Sequence, residues 1–137
     1  MLGTMFNQID RLGKGLDASW LRQDVIAQNI ANADTPNYKS KRVSFETDFQ
    51  NALEGGTGFQ AKRTRAEHLT FGGASDPMAV LPTVEENSDY TMRMDGNNVD
   101  IEQENVALAE NTIRYDLLTT KLNAELSRLK LVIREGK

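Results

Sequence analysis

The chain has 137 residues and is 39% hydrophobic and 26% charged, with a formal net charge of −4; this suits one compact domain or a compact domain with long excursions. It has no cysteine, which excludes disulfides, thiolate metal sites and cysteine nucleophiles, and its acidic balance makes it a poor nucleic-acid binder. The longest uninterrupted apolar run is Leu131-Val132-Ile133, against the roughly 20 apolar residues that a bilayer-spanning helix needs. The start, Met1 to Asp10, carries no basic cluster ahead of an apolar stretch, so no cleavable secretory signal is expected and export would need another route.

The first predicted element is a helix. Positions 2, 5, 9, 12, 16, 19, 23, 26, 30 and 33 step alternately by 3 and 4, and eight of the ten are apolar, among them Leu12, Leu16, Ile26 and Ile30. Trp20, Leu21 and Val25 widen this face, and so broad a stripe calls for more than one neighbour. Gly13 and Gly15 weaken the first half. The helix is expected to end at 31–35, where Asn32, Asp34, Thr35, Pro36 and Asn37 gather turn chemistry and Pro36 pushes Thr35 out of helical geometry.

The middle segment, 36–97, has no sustained period. Phe45, Phe49 and Leu53 fit a short helix over 45–53, and short strands fit 78–84 and 89–94. Two basic clusters lie here, Lys39/Lys41/Arg42 and Lys62/Arg63/Arg65. They read as solvated loops or as partners for the acidic stretch of a neighbouring subunit: residues 76–110 carry nine acidic side chains and one basic. A segment so poor in large apolar residues is expected to be irregular, partly β or disordered, and to fold on a partner.

The last segment, 98–137, is a second long helix. Asp100 is placed to cap the amide of Gln103, with Gln103 reaching back. Ile101, Leu108, Tyr115, Leu122, Leu126, Leu129 and Ile133 supply seven large apolar side chains at ten positions stepped by 3 and 4, and Ile113, Leu117, Leu118 and Leu131 form a second stripe. The helix is expected to reach Arg134 and stop at Gly136. The expected fold is therefore mainly α, with the terminal segments 1–35 and 98–137 paired as an antiparallel coiled coil around an irregular middle. The alternative is a monomeric bundle that uses the middle as its third layer.

Chemistry is sparse. The single histidine, His68, has no Gly-x-Ser-x-Gly serine to serve and no second nitrogen ligand for a metal. Gly55-Gly56-Thr57-Gly58 is not followed by the Gly-Lys-Ser/Thr of a phosphate loop. Asp95 to Asp100 lacks the sixth-position glycine and twelfth-position carboxylate of a calcium loop, since position 106 is Val. No catalytic, cofactor-binding or metal-ligating residue is expected, and the chain does not read as an enzyme.

One stretch goes beyond periodicity. From Leu21 to Lys39 the sequence resembles the signature of flagellar rod, hook and hook-associated axial proteins, centred on Asn29-Ile30-Ala31-Asn32, Thr35, Pro36 and Tyr38. Val43-Ser44-Phe45, Asn97-Asn98-Val99-Asp100-Ile101-Glu102 and Tyr115 extend the likeness towards the rod members, those of the proximal rod in particular. Where that family usually has glycine this chain has Asn37, the next-best residue at positive φ, so the turn is expected to survive. The resemblance implies a structural, torque-transmitting subunit, exported by the flagellar type III apparatus without a cleaved signal and assembled in the periplasm. It also implies its partners: its own copies, other rod proteins, a rod-base adaptor and the membrane-ring protein. A cytoplasmic coiled-coil adaptor or export chaperone would share the helices but not the Asn-Ile-Ala-Asn turn.

Overall fold

The computed structural model describes residues 2–54, 76–87 and 94–135. Its frame is two long helices, α1 (Leu2–Ala31) and α3 (Ile101–Glu135), about 45 and 52 Å long at 1.5 Å per residue. They pack against each other antiparallel: Gln8 Nε2 donates to Glu125 Oε1 at 3.5 Å, Gly15 faces Leu118, and Asn111 meets Ser19 and Gln23. At the far end Asn97 reaches the carbonyl of Asn32, just past α1. Asp100 caps α3, its Oδ1 accepting from the amides of Glu102 at 2.9 Å and Gln103 at 3.3 Å.

The seam mixes apolar and polar side chains. Leu12 and Leu16 of α1 are half-buried and Ile26 is buried; on α3, Leu108, Leu118, Leu122 and Leu129 are half-buried. Between them Asn111 is buried, and its Nδ2 donates to Ser19 O at 2.9 Å and Gln23 Oε1 at 2.8 Å. A polar side chain at one seam position favours a single register, because any slip leaves the amide without partners. Glu125 is buried too, accepting from Arg128 Nη1 at 3.2 Å.

This seam departs from the expected one. Ile101, Tyr115, Leu126 and Ile133, read from the sequence as packing positions, are exposed. Leu108, Leu122 and Leu129 face the seam as expected, but Asn111 and Glu125 point inward where Thr112 and Leu126 were expected. The physical reason is that α3 is apolar on several sides. Its 3–4 spacing marks a helix without choosing which stripe turns inward.

Between the long helices run β1 (Lys41–Ser44), α2 (Glu46–Leu53), a 3-10 turn (Pro77–Ala79) and β2 (Thr83–Glu86). The strands form a two-stranded antiparallel sheet with Lys41 opposite Glu86 and Val43 opposite Val84. The short helix lies where expected. The strand read over 78–84 begins only at Thr83, because Pro77 starts a 3-10 turn whose Met78 amide donates to Asp76 Oδ1 at 2.9 Å. The strand read over 89–94 falls outside the described residues except for Met94, which lies in a turn. His68 and the glycines at 55–58 also lie outside them.

A small core of Ala18, Phe45, Ala52 and Val80, with Phe49 stacked on Phe45 at 4.9 Å, fixes α2 against α1. An ion-pair clasp reinforces it. Glu46 bonds Arg22 of α1 at 2.6 Å and Arg114 of α3 at 3.3 Å, joining three helices. The hydrogen bond from Arg22 holds the Glu46 carboxyl below the usual carboxylate range. Its folded pKa therefore lies below its unfolded one. The clasp stabilises fully above the unfolded value, and the contribution is lost as pH falls through the folded value. Glu46→Gln is expected to lower the melting temperature at pH 7 and to converge on the parent as pH approaches 3. Thermal melts across that range check it.

Candidate functional site: an asparagine-bonded helix exit and an exposed apolar face

The turn that follows α1 closes the last carbonyls of the helix with its own amides, Asn32 N donating to Gln28 O and Ala33 N to Ile30 O. Asparagine side chains then hold the turn. Asn97, 0% exposed, directs Nδ2 at the carbonyls of Asn32 (2.9 Å), Ala33 (3.0 Å) and Thr35 (2.9 Å), while its Oδ1 accepts from Val99 N at 2.7 Å. Asn29, also 0% exposed, acts on the other side of the exit. Its Nδ2 donates to Lys41 O at 2.8 Å and its Oδ1 accepts from Lys41 N at 2.9 Å, a peptide-like pairing that fixes the start of β1. Tyr38 OH donates to the same Oδ1 at 3.3 Å, and burial raises the Tyr38 pKa above its ordinary value. Asn98 bridges the end of the sheet, accepting from Ser40 N at 2.7 Å and donating to Asn87 O at 2.6 Å. Asn32 donates to Gln28 O and accepts from the Thr35 hydroxyl.

The turn itself is left-handed at two places, Asn37 (φ 61°) and Gly96 (φ 81°). The two segments are joined by Asn37 N donating to Asp95 O at 2.9 Å and by Lys39 Nζ donating to Gly96 O at 2.7 Å. Asparagine thus takes the positive φ that the sequence assigned to position 37. A Cβ on Gly96 would stand 2.6 Å from Asn37 Oδ1, so Gly96→Ala meets both backbone strain and a clash. It is expected to cost about 1–3 kcal/mol. Adding Asn37→Gly removes the clash and recovers part of the loss, which urea denaturation of the single and double variants measures.

Of the motif residues, Asn29 is buried, Ile30, Asn32 and Tyr38 are half-buried, and Ala31, Thr35 and Pro36 are exposed. Ala33, the small residue that permits close approach, is buried. Asn97, Asn98 and Asn111 are the structural residues that sequence reading missed in role. The only signal was an Asn-Asn pair two residues ahead of a helix cap.

The second feature is apolar surface. Side chains advance about 100° per residue along a helix. Arg22 on α1 faces the side occupied by α2, where it pairs with Glu46, and Ala18 on α1 and Arg114 and Leu117 on α3 lie round an apolar cleft with Phe45 on that side. Trp20, 67% exposed, projects from the opposite flank of α1, and Ile101, Tyr115 and Leu126 project from the matching flank of α3. Outward from the α2 side, α3 exposes a second stripe of Val106, Ile113, Leu117 and Leu131. Apolar side chains are thus exposed on both flanks of the helix pair.

A cleft of about 310 Å³ opens between the exit and α3, lined by Arg22, Ile26, Lys41, Arg42 and Glu104 among others. Burial raises the Glu104 pKa above the usual carboxylate value, although Asn29 and Arg42 both favour its charged form. Among the described residues no group of three His, Asp or Glu side chains converges to hold a metal ion. No helix among them is long and apolar enough to cross a membrane.

Residues 12–39, the last two thirds of α1 with its exit, match the family model described as Flagella basal body rod protein. Over 130 residues the chain is 35% identical to the flagellar basal body rod protein FlgB of Bacillus subtilis (strain 168), covering 94% of this chain and 95% of that protein. It is 36% identical over 113 residues to FlgB of Borreliella burgdorferi, covering 81% and 84%. FlgB of Cereibacter sphaeroides is 33% identical over 128 residues, covering 91% and 94%.

Proposed function

The chain belongs to the FlgB family of flagellar basal body rod proteins, and we propose that it builds the proximal rod by packing the exposed flanks of its helix pair against its own copies and other rod proteins. As a rod subunit it is a structural protein of the motility apparatus. The observation that carries the packing reading is the apolar surface left on both flanks, Trp20, Tyr115 and Leu126 on one and Val106, Ile113 and Leu117 on the other. Burying such surface releases water from it at about 25 cal/mol per Å², and non-equivalent faces stack into an open helical array rather than a closed ring.

In this reading the subunit has no catalytic role. It is exported by the flagellar type III apparatus, assembles in the periplasm, and meets the rod-base adaptor and the membrane-ring protein. The antiparallel pair, pinned by Asn111 and Glu46, is a stiff element along which torque passes. Nothing in the fold or in the relatives favours a cytoplasmic adaptor. Deletion of the gene, with basal bodies isolated from parent and complemented strains, tests the assignment. The expected result is arrest before the distal rod, with the chain recovered in parental basal bodies. Normal swimming of the deletion strain refutes it.

A further inference from the structure

Trp20 is the only tryptophan in the chain, and it stands 67% exposed on one flank of the helix pair. Few side chains remove as much apolar surface from water on burial, and tryptophan is enriched where protein contacts are strongest. On the other flank, beside α2, an open cleft of about 280 Å³ is lined by Gly15 and Ala18 of α1, by Phe45, and by Arg114, Leu117 and Leu118 of α3. A Cβ on Gly15 would already stand 3.4 Å from Leu118 Cδ1, so glycine leaves that space free. The cleft has room for one indole and apolar walls to receive it, and Arg114 offers a guanidinium to its face. Indole and cleft lie on opposite flanks of one molecule, so no molecule fills its own.

The charges beside these two features match in sign and spacing. Asp10, Asp17 and Asp24 are exposed and seven residues apart, so they form one row along α1, with Trp20 between the last two. Arg114, Lys121 and Arg128 are likewise seven apart on α3, each more than half exposed, with Leu117 and Leu118 between the first two. These cations keep donors to spare, because Arg114 shares Glu46 with Arg22, while Lys121 and Arg128 share Glu125. Lys14, a cation of α1 itself, is engaged with Val80 O at 3.5 Å. We propose that Trp20 of one copy seats in the cleft of the next, with its α1 antiparallel to the neighbour's α3, so that Asp10 meets Arg128, Asp17 meets Lys121 and Asp24 meets Arg114. In that register Trp20 comes level with Leu118, and Glu110, an exposed acid one turn before Arg114, falls opposite uncharged Gln28. Exposed ion pairs add little strength, so the indole supplies the affinity and the two rows fix the register. Because α1 and α3 are antiparallel within each molecule, the two copies run in the same direction, and a contact between unlike faces repeats without closing. The contact rests on the reading that copies pack through their flanks, and it adds which faces meet and in what register.

A full chain carrying both Asp17→Cys and Lys121→Cys tests the register, since the parent has no cysteine and both positions are exposed. It is expressed beside the parental gene, so that rods still assemble, and basal bodies are isolated and oxidised. The expected result is a ladder of disulfide-linked dimers, trimers and larger multimers of this chain, because every copy offers both faces. Asp10→Cys with Arg128→Cys is a second pair in the same register and gives the same ladder. Asp24→Cys with Arg128→Cys, two heptads out of register, gives none, and neither does either cysteine alone. Adding Trp20→Ala to the first pair leaves the melt of the purified chain unchanged and lowers the yield of linked multimers about tenfold or more. Basal bodies that contain the doubly substituted chain without the link overturn the proposal. So do a disulfide within one molecule, a link from Asp17→Cys to its own equivalent, a link to a different basal-body protein, or a yield that Trp20→Ala does not change. All of these leave the rod assignment standing; failure of that assignment shows instead as absence of the parental chain from basal bodies.

Discussion

Replacing Asn97 with aspartate destabilises the fold more than replacing it with alanine, although aspartate is the closer in shape. The Asn97 amide serves three carbonyl oxygens in the turn after α1 and accepts from Val99 N, and its own side chain has no solvent exposure. Alanine removes these four bonds from a fully buried site and leaves a gap where the amide stood, an expected loss of about 1–3 kcal/mol. Aspartate keeps the acceptor for Val99 but sets a carboxylate oxygen against three carbonyl oxygens. Like partial charges at hydrogen-bond distance in a buried site repel, and the carboxylate has no donor in place of the lost amide. The site therefore favours the protonated acid, which raises the folded pKa above the unfolded value near 3.9. The consequence has a fixed sign. The stability of the aspartate variant is greatest below the unfolded pKa and is lost as pH rises through the folded one. Urea denaturation at pH 4 and pH 7 reads both parts. At pH 7 the order is parent, alanine, aspartate; at pH 4 the aspartate variant closes on alanine. An aspartate variant as stable as the parent at pH 7 would show that the helix exit does not depend on this amide.

What the sequence revealed and what it hid follow one physical line. Leu12, Leu16, Ile26 and Ile30 repeat at helical steps, and Pro36 ends the run, so α1 could be read directly, with its end placed within a few residues of Ala31. Phe45 and Phe49 gave α2 in the same way. Asn37 was legible because few side chains tolerate positive φ. By contrast β1 is Lys-Arg-Val-Ser, with a single apolar residue, and its partner lies some forty residues away. No local pattern announces such a strand. The asparagine network was hidden for a related reason: Asn97 acts on carbonyls more than sixty residues earlier, and an asparagine in sequence looks the same in a turn, on a surface or at the centre of a site. The face of α3 was ambiguous because Leu117, Leu126 and Leu131 sit on different sides of one helix. Periodicity reports that a helix has apolar stripes; which stripe meets its own chain and which meets a neighbour depends on long-range contacts.

That ambiguity makes the sharpest mutational contrast. Leu122 and Leu126 are four residues apart on α3, yet they are expected to respond differently to aspartate. Leu122 is half-buried in the seam, beside Ile9, Gly13 and Met78. A carboxylate there loses solvent on folding and meets Asp10 and Asp17 as well as Lys14 round the same cleft, so Leu122→Asp costs about 3 kcal/mol and lowers the melting temperature of the isolated chain. Leu126 is 44% exposed on the flank shared with Tyr115 and Trp20. Its carboxylate remains hydrated in the monomer, and the stability change stays within about 0.5 kcal/mol. In the proposed packing that flank is buried against a neighbouring molecule, and an unpaired charge placed in it opposes association. Leu126→Asp, like Trp20→Asp, is therefore expected to leave the melt of the purified chain unchanged while abolishing swimming and removing the chain from basal bodies. The pairing of a melt with a motility assay separates the two roles. If Leu126→Asp swims as the parent does, this flank is not an assembly surface. If it melts as Leu122→Asp does, its side chain belongs to the seam, and the face that α3 offers to neighbours is the stripe of Val106, Ile113 and Leu117 alone.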